Sequence, residues 1–361
     1  MLELFEGNEA FLFNILALLL GALYGVIAQR SQFCFSGGLK DLFVSNDTKR
    51  IASIAMSMLV AIIATQLIVF IYELDLSQTR YFANINYAFI IIGGAMFGYG
   101  MMRSDGCGSR HLVKFAQGDI KSLYILLSIG ASALGAFYFL RYFGADMRSL
   151  PLLNQLETKE AFHIAWYIPV GILLTVLVFS VKKISHLWQC CDGWSIGLII
   201  ALGWYTTTVV ADELFYLVSA QSLSFVYPNA QIIEMIATLD FSVLSFGMMS
   251  VFGVLIGAFL SSKIRPKYNF QFQCFDESKK PPNLIHKLIA GAFLGIGGVL
   301  TVGCTVGQGL SGLSSLSFAS FLSISSIYIS GYITAYIMHK NNQLLSCFIF
   351  AFEEKFGKQP A

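Results

Sequence analysis

The chain has 361 residues, of which 56% are hydrophobic and only 12% are charged, and its formal net charge is +2. So few charged side chains cannot cover the surface of a soluble protein of this length, and the scattered basic residues form no nucleic-acid interface. The composition therefore predicts an integral membrane protein.

Nine apolar runs have roughly the length of a transmembrane helix, which needs about 17–25 residues. The first run follows Glu3, Glu6 and Glu9 rather than basic residues, so we expect a permanent helix and not a cleaved signal peptide. Runs this long lack the alternation of barrel strands, so lipid allows them only as helices. The predicted fold class is an all-α integral membrane protein, with spanning helices near residues 10–29, 51–73, 86–102, 121–141, 164–181, 194–211, 241–262, 287–302 and 318–338.

Basic residues are distributed unevenly between these runs. The N-terminus and the loops near 74–85, 142–163, 212–240 and 304–317 carry few of the 23 lysines and arginines, and the alternate loops and the C-terminus carry most of them. Because cytoplasmic loops are rich in basic residues, we expect the N-terminus outside the cell and the C-terminus in the cytoplasm.

A spacing pattern recurs four times along the chain: a marker residue lies thirteen residues after one glycine and nine after another. One glycine pair indicates only close helix packing, but four copies tied to a marker indicate an internal repeat. The first two copies start on helices that run inward and the last two on helices that run outward. We therefore expect two inverted halves, residues 1–150 and 186–361, joined by a helix near 164–181. The copies are Gly21, Gly25 and Cys34; Gly94, Gly98 and Cys107; Gly193, Gly197 and Thr206; and Gly291, Gly295 and Cys304.

A polar stretch too short to span a membrane follows each cysteine marker: "FSGGLKDLF" (35–43), "GSRHLVKFA" (108–116) and "TVGQGLSGL" (305–313). Together with the stretch after Thr206, these predict four short re-entrant helices, each entered through a break. Broken backbone at membrane depth is tolerated only where protein or a water-filled path receives its polar groups, so we expect the cysteines to line a cavity. The threonines of "GWYTTTVVADELF" (203–215) indicate a wider, less selective counterpart on the external side.

The three marker cysteines are the candidate chemical groups, because the remaining four fit no pattern: Cys190, Cys191, Cys274 and Cys347. The chain has no CxxC motif, and Cys107 with His111 offers two ligands where structural zinc needs four, so we expect no metal and no cofactor. A soft ion such as Cu(I) stays open as a cargo. An anion suits the surroundings better, since the start of a helix offers unpaired N–H groups and a positive dipole.

Neutral thiols add weak S–H donors and a polarisable surface, and a passage needs several such weak contacts. Arg30 and Arg103 each lie four residues before a cysteine, where they either attract the anion or mark the cytoplasmic end of a helix. The candidate translocation residues are Cys34, Cys107 and Cys304, supported by Gly37, Gly38, Gly108, Thr305, Gly307, Gln308, Arg30 and Arg103.

Three stretches carry a resemblance to a known family: "GALYGVIAQRSQFCFSGGLKDLF", "GGAMFGYGMMRSDGCGSRHLVKFAQGDIKSL" and "GAFLGIGGVLTVGCTVGQGLSGLSSLSFASF". With them the chain resembles the YeeE/YedE sulfur-transport family, whose studied members take up thiosulfate across the bacterial inner membrane. The resemblance implies an hourglass of nine spanning and four short helices. It also implies that Cys34, Cys107 and Cys304 relay thiosulfate by S–H contacts without covalent change.

The same resemblance implies a cytoplasmic sulfur-accepting partner, either a TusA-like carrier or a rhodanese. It leaves the cargo open, because the family also has members associated with selenium compounds. The sequence is also compatible with a transporter of soft metal ions and with a membrane thiol or sulfurtransferase enzyme. The enzyme is disfavoured because redox cysteines usually act as close pairs.

Overall fold

The computed structural model describes residues 9–148, 157–160, 163–181, 191–214, 218–240, 244–264 and 284–344. Cys190, Cys274 and Cys347 lie outside these ranges, and only the backbone of Cys191 lies within them. Each of the nine apolar runs overlaps a helix. The helices are α1 (Glu9–Ser31), α2 (Phe35–Val44), α3 (Lys49–Tyr72), α4 (Tyr87–Ser104), α5 (Gly108–Ala116), α6 (Ile120–Arg148), α7 (Tyr167–Val181), α8 (Cys191–Tyr205), α9 (Tyr227–Thr238), α10 (Phe246–Ile264), α11 (Leu284–Leu300), α12 (305–314) and α13 (Phe318–Lys340).

Six helical stretches of the described chain are long and apolar enough to cross a membrane, and two further apolar helices, α7 and α11, are shorter. Helices satisfy their own backbone N–H and C=O groups, which lipid cannot do. The chain is therefore a multi-pass membrane protein. The six stretches are Ala10–Val44, Lys49–Tyr72, Ile120–Phe143, Asp192–Glu213, Phe246–Ile264 and Phe318–Lys340.

One small ladder departs from the all-α prediction. Strand β1 (Ala83–Asn86) pairs antiparallel with β2 (Glu157–Glu160), with Ala83 opposite Glu160. Asn86 ends β1 and also caps α4, since its side-chain oxygen accepts hydrogen bonds from two N–H groups of the first turn. The ladder thus fixes where α4 enters the bundle.

The four glycine pairs lie where helices from the two halves of the chain cross. At every one of the eight glycines except Gly291, an added Cβ would lie under 3.0 Å from an atom of the facing helix. The crossings are α1 with α10, α8 with α3, α4 with α13, and α11 with α6. In addition, α4 packs against α11. Each glycine pair of the repeat therefore lies at a close contact between an early and a late helix of the chain.

The fourth copy of the repeat differs from the first three in type. No break separates α8 from the residues that follow: the helix widens into a π-helical segment, Thr206–Val210, and continues to Glu213. No glycine interrupts this stretch, and the hydroxyl of Thr206 donates to the carbonyl of Leu202, four residues earlier. Such back-bonding keeps a threonine within a helix. The predicted short helix is here a continuation of the preceding one.

The close approach of helices at the glycine crossings predicts that a larger residue there will destabilise the protein. An alanine at Gly197 of α8 would place its Cβ 2.7 Å from the Ser57 carbonyl oxygen of α3. We expect Gly197→Ala to cost about 1–3 kcal/mol through overpacking, seen as a lower thermal midpoint of the detergent-solubilised protein. Gly135→Ala in α6 is the matched control, because nothing lies within 4 Å of its Cβ position. Equal thermal midpoints for the two variants would contradict the close packing of α8 against α3 at Gly197.

Candidate transport site

Each repeat cysteine occupies the residue just before a short helix. Cys34 precedes α2, Cys107 precedes α5 and Cys304 precedes α12. The Gly37 N–H donates to the Cys34 sulfur at 3.3 Å, and the Gly307 N–H donates to the Cys304 sulfur at 3.3 Å. The first N–H groups of a helix have no partner within it, so the thiol replaces the hydroxyl that usually caps this position.

The turns that lead into these helices share one backbone conformation. Gln32, Asp105 and Val302, each two residues before a cysteine, have φ values of 56°, 69° and 60°. A residue other than glycine is uncommon in this left-handed region, and a β-branched valine is more so. Strained residues of this kind concentrate at functional sites, where the surrounding structure enforces them. The sequence repeat thus corresponds to a repeated backbone geometry.

The three thiols lie in one buried neighbourhood. Cys34, Cys107 and Cys304 are 3%, 1% and 1% exposed, and none forms a disulfide. Tyr24 of α1 interacts electrostatically with all three, and Tyr328 of α13 interacts with Cys34 and Cys107. Turns that are far apart in sequence are therefore brought together around Tyr24, which is buried, and Tyr328, which is partly buried.

Serine hydroxyl groups lie along the short helix that follows Cys304. Ser224 lies against the first turn of α12, where a Cβ on Gly307 would come 2.7 Å from its oxygen. Ser311, farther along α12, donates to the carbonyl of Leu223 at 2.8 Å. The extended segment that contains Leu223 and Ser224 therefore lines this part of the site with polar groups.

Two polar side chains are buried at this end, Thr305 and Gln308. The Gln308 amide donates to the Thr301 carbonyl, which leaves its oxygen facing Gly312 without a hydrogen-bond partner. The Thr305 hydroxyl lies close enough to Cys107 to interact with its thiol. Buried polar groups are nearly always paired, so the Gln308 oxygen is an exception at this end of the site.

The predicted supporting glycines have different surroundings. A Cβ on Gly37 would lie 2.6 Å from the Arg50 guanidinium and 3.3 Å from the Cys34 Cβ. Gly38 faces isoleucines of α3 at 3.2 Å and 3.3 Å, whereas the nearest atom to a Cβ on Gly108 is 3.9 Å away. Gly37 and Gly307 are thus required for close approach next to a thiol, and Gly108 has room for a side chain.

A buried charge cluster connects α2 with α5. Asp105, in the turn before α5, contacts the ammonium groups of both Lys40 of α2 and Lys114 of α5. Lys114 is 2.7 Å from the carboxylate and also donates to the Asp105 carbonyl at 2.7 Å. One carboxylate shared by two buried cations holds the two short helices together.

A second ion pair fixes α2 against α3. Arg50 lies 3.3 Å from the Asp41 carboxylate and donates to the Gln32 side chain at 3.2 Å. Gln32 belongs to the strained turn before Cys34, so Arg50 holds both that turn and the helix that follows it.

Arg30 and Arg103 contact groups other than the thiols. Both are exposed: Arg30 donates to Ser261 of α10 at 3.3 Å, and Arg103 lies 5.7 Å above the Tyr99 ring and donates to Gln343 at 3.4 Å. The cations that the structure does place near the cysteines are buried. These are Lys40, Arg50, Arg110 and Lys114.

Sequence reasoning missed those buried cations, although a signal for them exists. Lys40, Arg110 and Lys114 lie inside the short helices themselves, where a residue facing lipid would not be basic. His111 of α5 lies among them, with Nδ1 3.1 Å from the Ser122 hydroxyl. Within the described ranges, no three His, Cys, Asp or Glu side chains come together as a metal site requires.

Residues 30–334 match the protein family described as "Sulphur transport". The chain belongs to this family. It is 22% identical over 325 residues to the thiosulfate transporter TsuA of Escherichia coli (strain K12), a match that covers 81% of this chain and 85% of the relative. It is 23% identical over 320 residues to the thiosulfate transporter TsuA of Spirochaeta thermophila, covering 82% and 90%. A shorter match, 27% identical over 179 residues, joins 48% of this chain to 41% of the probable transporter YedE of Salmonella typhimurium.

The shared carboxylate generates a stability prediction for this family member. Asp105→Asn would remove the buried carboxylate that contacts the ammonium groups of both Lys40 and Lys114, so we expect a loss of about 3–5 kcal/mol. The measurement is the thermal midpoint of the purified protein in detergent. Asp75→Asn is the control, since Asp75 is exposed and its carboxylate bonds only within its own turn, to Ser77. A midpoint for Asp105→Asn as high as that of the control would refute the role of the cluster.

Proposed function

We propose that this protein imports thiosulfate, or a similar soft sulfur-containing anion, across the bacterial inner membrane. The observation that carries the proposal is that three buried cysteines, each at the N-cap position of a short helix, lie in one neighbourhood. Family membership and two relatives named as thiosulfate transporters support the same cargo.

A thiol group has a weak S–H donor and a polarisable sulfur. Cys34, Cys107 and Cys304 are all buried, and each presents these features to the terminal sulfur of thiosulfate. No single contact of this kind holds the ion strongly. The ion therefore passes from one thiol to the next without forming a covalent bond, which is the behaviour a conduit needs.

Helix starts supply the remaining attraction. Each cysteine lies at the positive end of a short helix, and at Cys34 and Cys304 an N–H group of the first turn points toward the sulfur. The N–H groups of α2 and α12 that bond to sulfur are available to the anion if the thiol rotates toward it. Backbone dipoles at these helix starts thus contribute to the attraction of an anion.

The architecture proposed for this task has nine spanning helices and short re-entrant helices that meet from two inverted halves. The paired crossings of α1 with α10 and α8 with α3 support the halves. The excess of basic residues in alternate loops supports an external N-terminus and a cytoplasmic C-terminus. On the cytoplasmic side, a TusA-like sulfur carrier or a rhodanese accepts the imported sulfur.

Uptake by proteoliposomes tests the cargo. We expect saturable entry of radiolabelled thiosulfate that unlabelled thiosulfate suppresses and that sulfate does not, because sulfate lacks the terminal sulfur that the thiols contact. Cys107→Ala and Cys304→Ala are each expected to reduce the rate about tenfold or more, since the two thiols that remain cannot bridge the gap that each substitution leaves.

The matched control is Cys274→Ala, which changes a cysteine outside the repeat. Its uptake should equal that of the unchanged protein, and all variants should elute as one sharp peak in detergent. Normal uptake by folded Cys107→Ala or Cys304→Ala would rule out the relay. A stable mass gain on any of the three cysteine peptides after turnover would instead favour a covalent, enzymatic function.

A further inference from the structure

His111 is a buried titratable side chain that the thiol relay does not use. It is 1% exposed and lies in α5, one turn after Cys107, whose carbonyl accepts the backbone N–H of His111 at 3.0 Å. The two buried carboxylates near the cysteine turns, Asp41 and Asp105, contact cations directly. Ionisable residues at membrane depth are costly, and histidines there often belong to proton pathways. His111 is therefore a candidate for a group whose charge changes during transport.

Two hydrogen bonds determine which nitrogen of the His111 ring carries its hydrogen. The Ser122 hydroxyl donates to the Asp119 carboxylate at 2.7 Å, and His111 Nδ1 lies 3.1 Å from the same hydroxyl oxygen. A hydroxyl has one hydrogen and a carboxylate only accepts, so Ser122 has no hydrogen left for His111. Nδ1 must therefore donate to Ser122, and in a neutral imidazole Nε2 is then the unprotonated nitrogen with a lone pair.

Nε2 of His111 faces the turn that carries Cys107. It lies 3.3 Å from the position of a Cβ on Gly106, the residue just before Cys107. Nε2 is buried and has no hydrogen-bond partner among the described residues. A buried acceptor without a donor is uncommon, because burial removes the water that would otherwise bond to it. This lone pair is the place on the ring where a proton can bind.

Charged groups of several elements act on His111. Cations of α5 and α11 oppose a proton on the ring, and the carboxylate in the turn before α5 favours one. A second carboxylate, just before α6, acts through Ser122. The cations are Arg110, Lys114 and Lys287, and the carboxylates are Asp105 and Asp119. Negative charge that arrives beside the turn shifts this balance toward the protonated ring.

We propose that His111 binds a proton from the external side on Nε2 when the anion occupies the thiols, and releases it to the cytoplasm, so that the anion and protons enter together. This inference rests on the proposed function. The proton binds to the Nε2 lone pair and leaves from the same atom, while Ser122 and Asp119 hold the Nδ1–H in place and no other bond changes. A membrane potential that is negative inside opposes the entry of a divalent anion, and an accompanying proton lowers the charge that is moved against it.

The test is accumulation of radiolabelled thiosulfate by proteoliposomes at zero membrane potential, with the outside more acidic than the inside. If one proton enters with each anion, a gradient of about one pH unit should concentrate thiosulfate inside about tenfold. His111→Asn keeps a side-chain N–H for Ser122 but cannot bind a proton, so it should only bring the two concentrations to equality. Exchange of labelled for unlabelled thiosulfate at equal pH identifies the variants that fold and carry the anion.

His339→Asn is the matched control, since His339 is exposed at the end of α13, where its ring packs against Phe43. The control should accumulate thiosulfate as the unchanged protein does, and equal accumulation by His111→Asn would overturn the inference. If His111→Asn shows no exchange, His111→Gln, whose amide does not bind a proton either, decides by the same comparison. If neither variant exchanges, the unchanged protein decides: thiosulfate entry should acidify the interior, reported by a trapped pH dye, and entry without acidification would overturn the inference.

Failure of the proposed function is a separate outcome. If the unchanged protein exchanges thiosulfate but the acid gradient does not concentrate it, the function stands and the proton coupling is wrong. If the unchanged protein neither exchanges nor takes up thiosulfate under any gradient, the proposed function is wrong and the coupling falls with it.

Discussion

A helix that stops inside a membrane protein must find partners for the N–H groups at the start of the next helix, and in this protein cysteine sulfur is one of them. The constraint is severe because lipid offers no hydrogen bonds. Cys34 and Cys304 satisfy it with the same bond to the residue three positions later. The strained residues at positions 32, 105 and 302 allow the chain to turn within two residues so that the thiol reaches this position. Capping and presentation of the thiol are thus one structural requirement.

The surrounding helices and charges keep these breaks in place. Glycine crossings bring helices from both halves so close that no Cβ fits between most of them, which leaves the short helices little freedom to shift. At α2 and α5, Asp105 and Arg50 replace apolar packing with ion pairs between buried groups. Buried ion pairs add little net stability, but removing one partner is expensive, so they specify a single arrangement of the turns. That arrangement places buried cations next to the turns that carry Cys34 and Cys107.

Much of this fold could be predicted from the sequence, because membrane helices follow directly from long apolar runs. The helix breaks at Cys34, Cys107 and Cys304 were also predictable, since glycine and polar residues interrupt an apolar pattern at a fixed spacing. The continuity at Thr206 was not, because a threonine that bonds back to its own helix has the same polarity as one that ends it. The contact between Lys40 and Asp105 joins residues 65 apart, which no local pattern encodes. Spacing alone pointed to Arg30 and Arg103, and the structure places both on the exposed side of their helices.

The account depends on one anion occupying the space between the three thiols. The most direct measurement is an electron cryo-microscopy structure of the purified protein in lipid nanodiscs with saturating thiosulfate, compared with the same protein without it. The account predicts added density in contact with at least two of Cys34, Cys107 and Cys304, with no covalent link to sulfur. Thiosulfate bound elsewhere, density continuous with a cysteine sulfur, or no added density at saturation would contradict it.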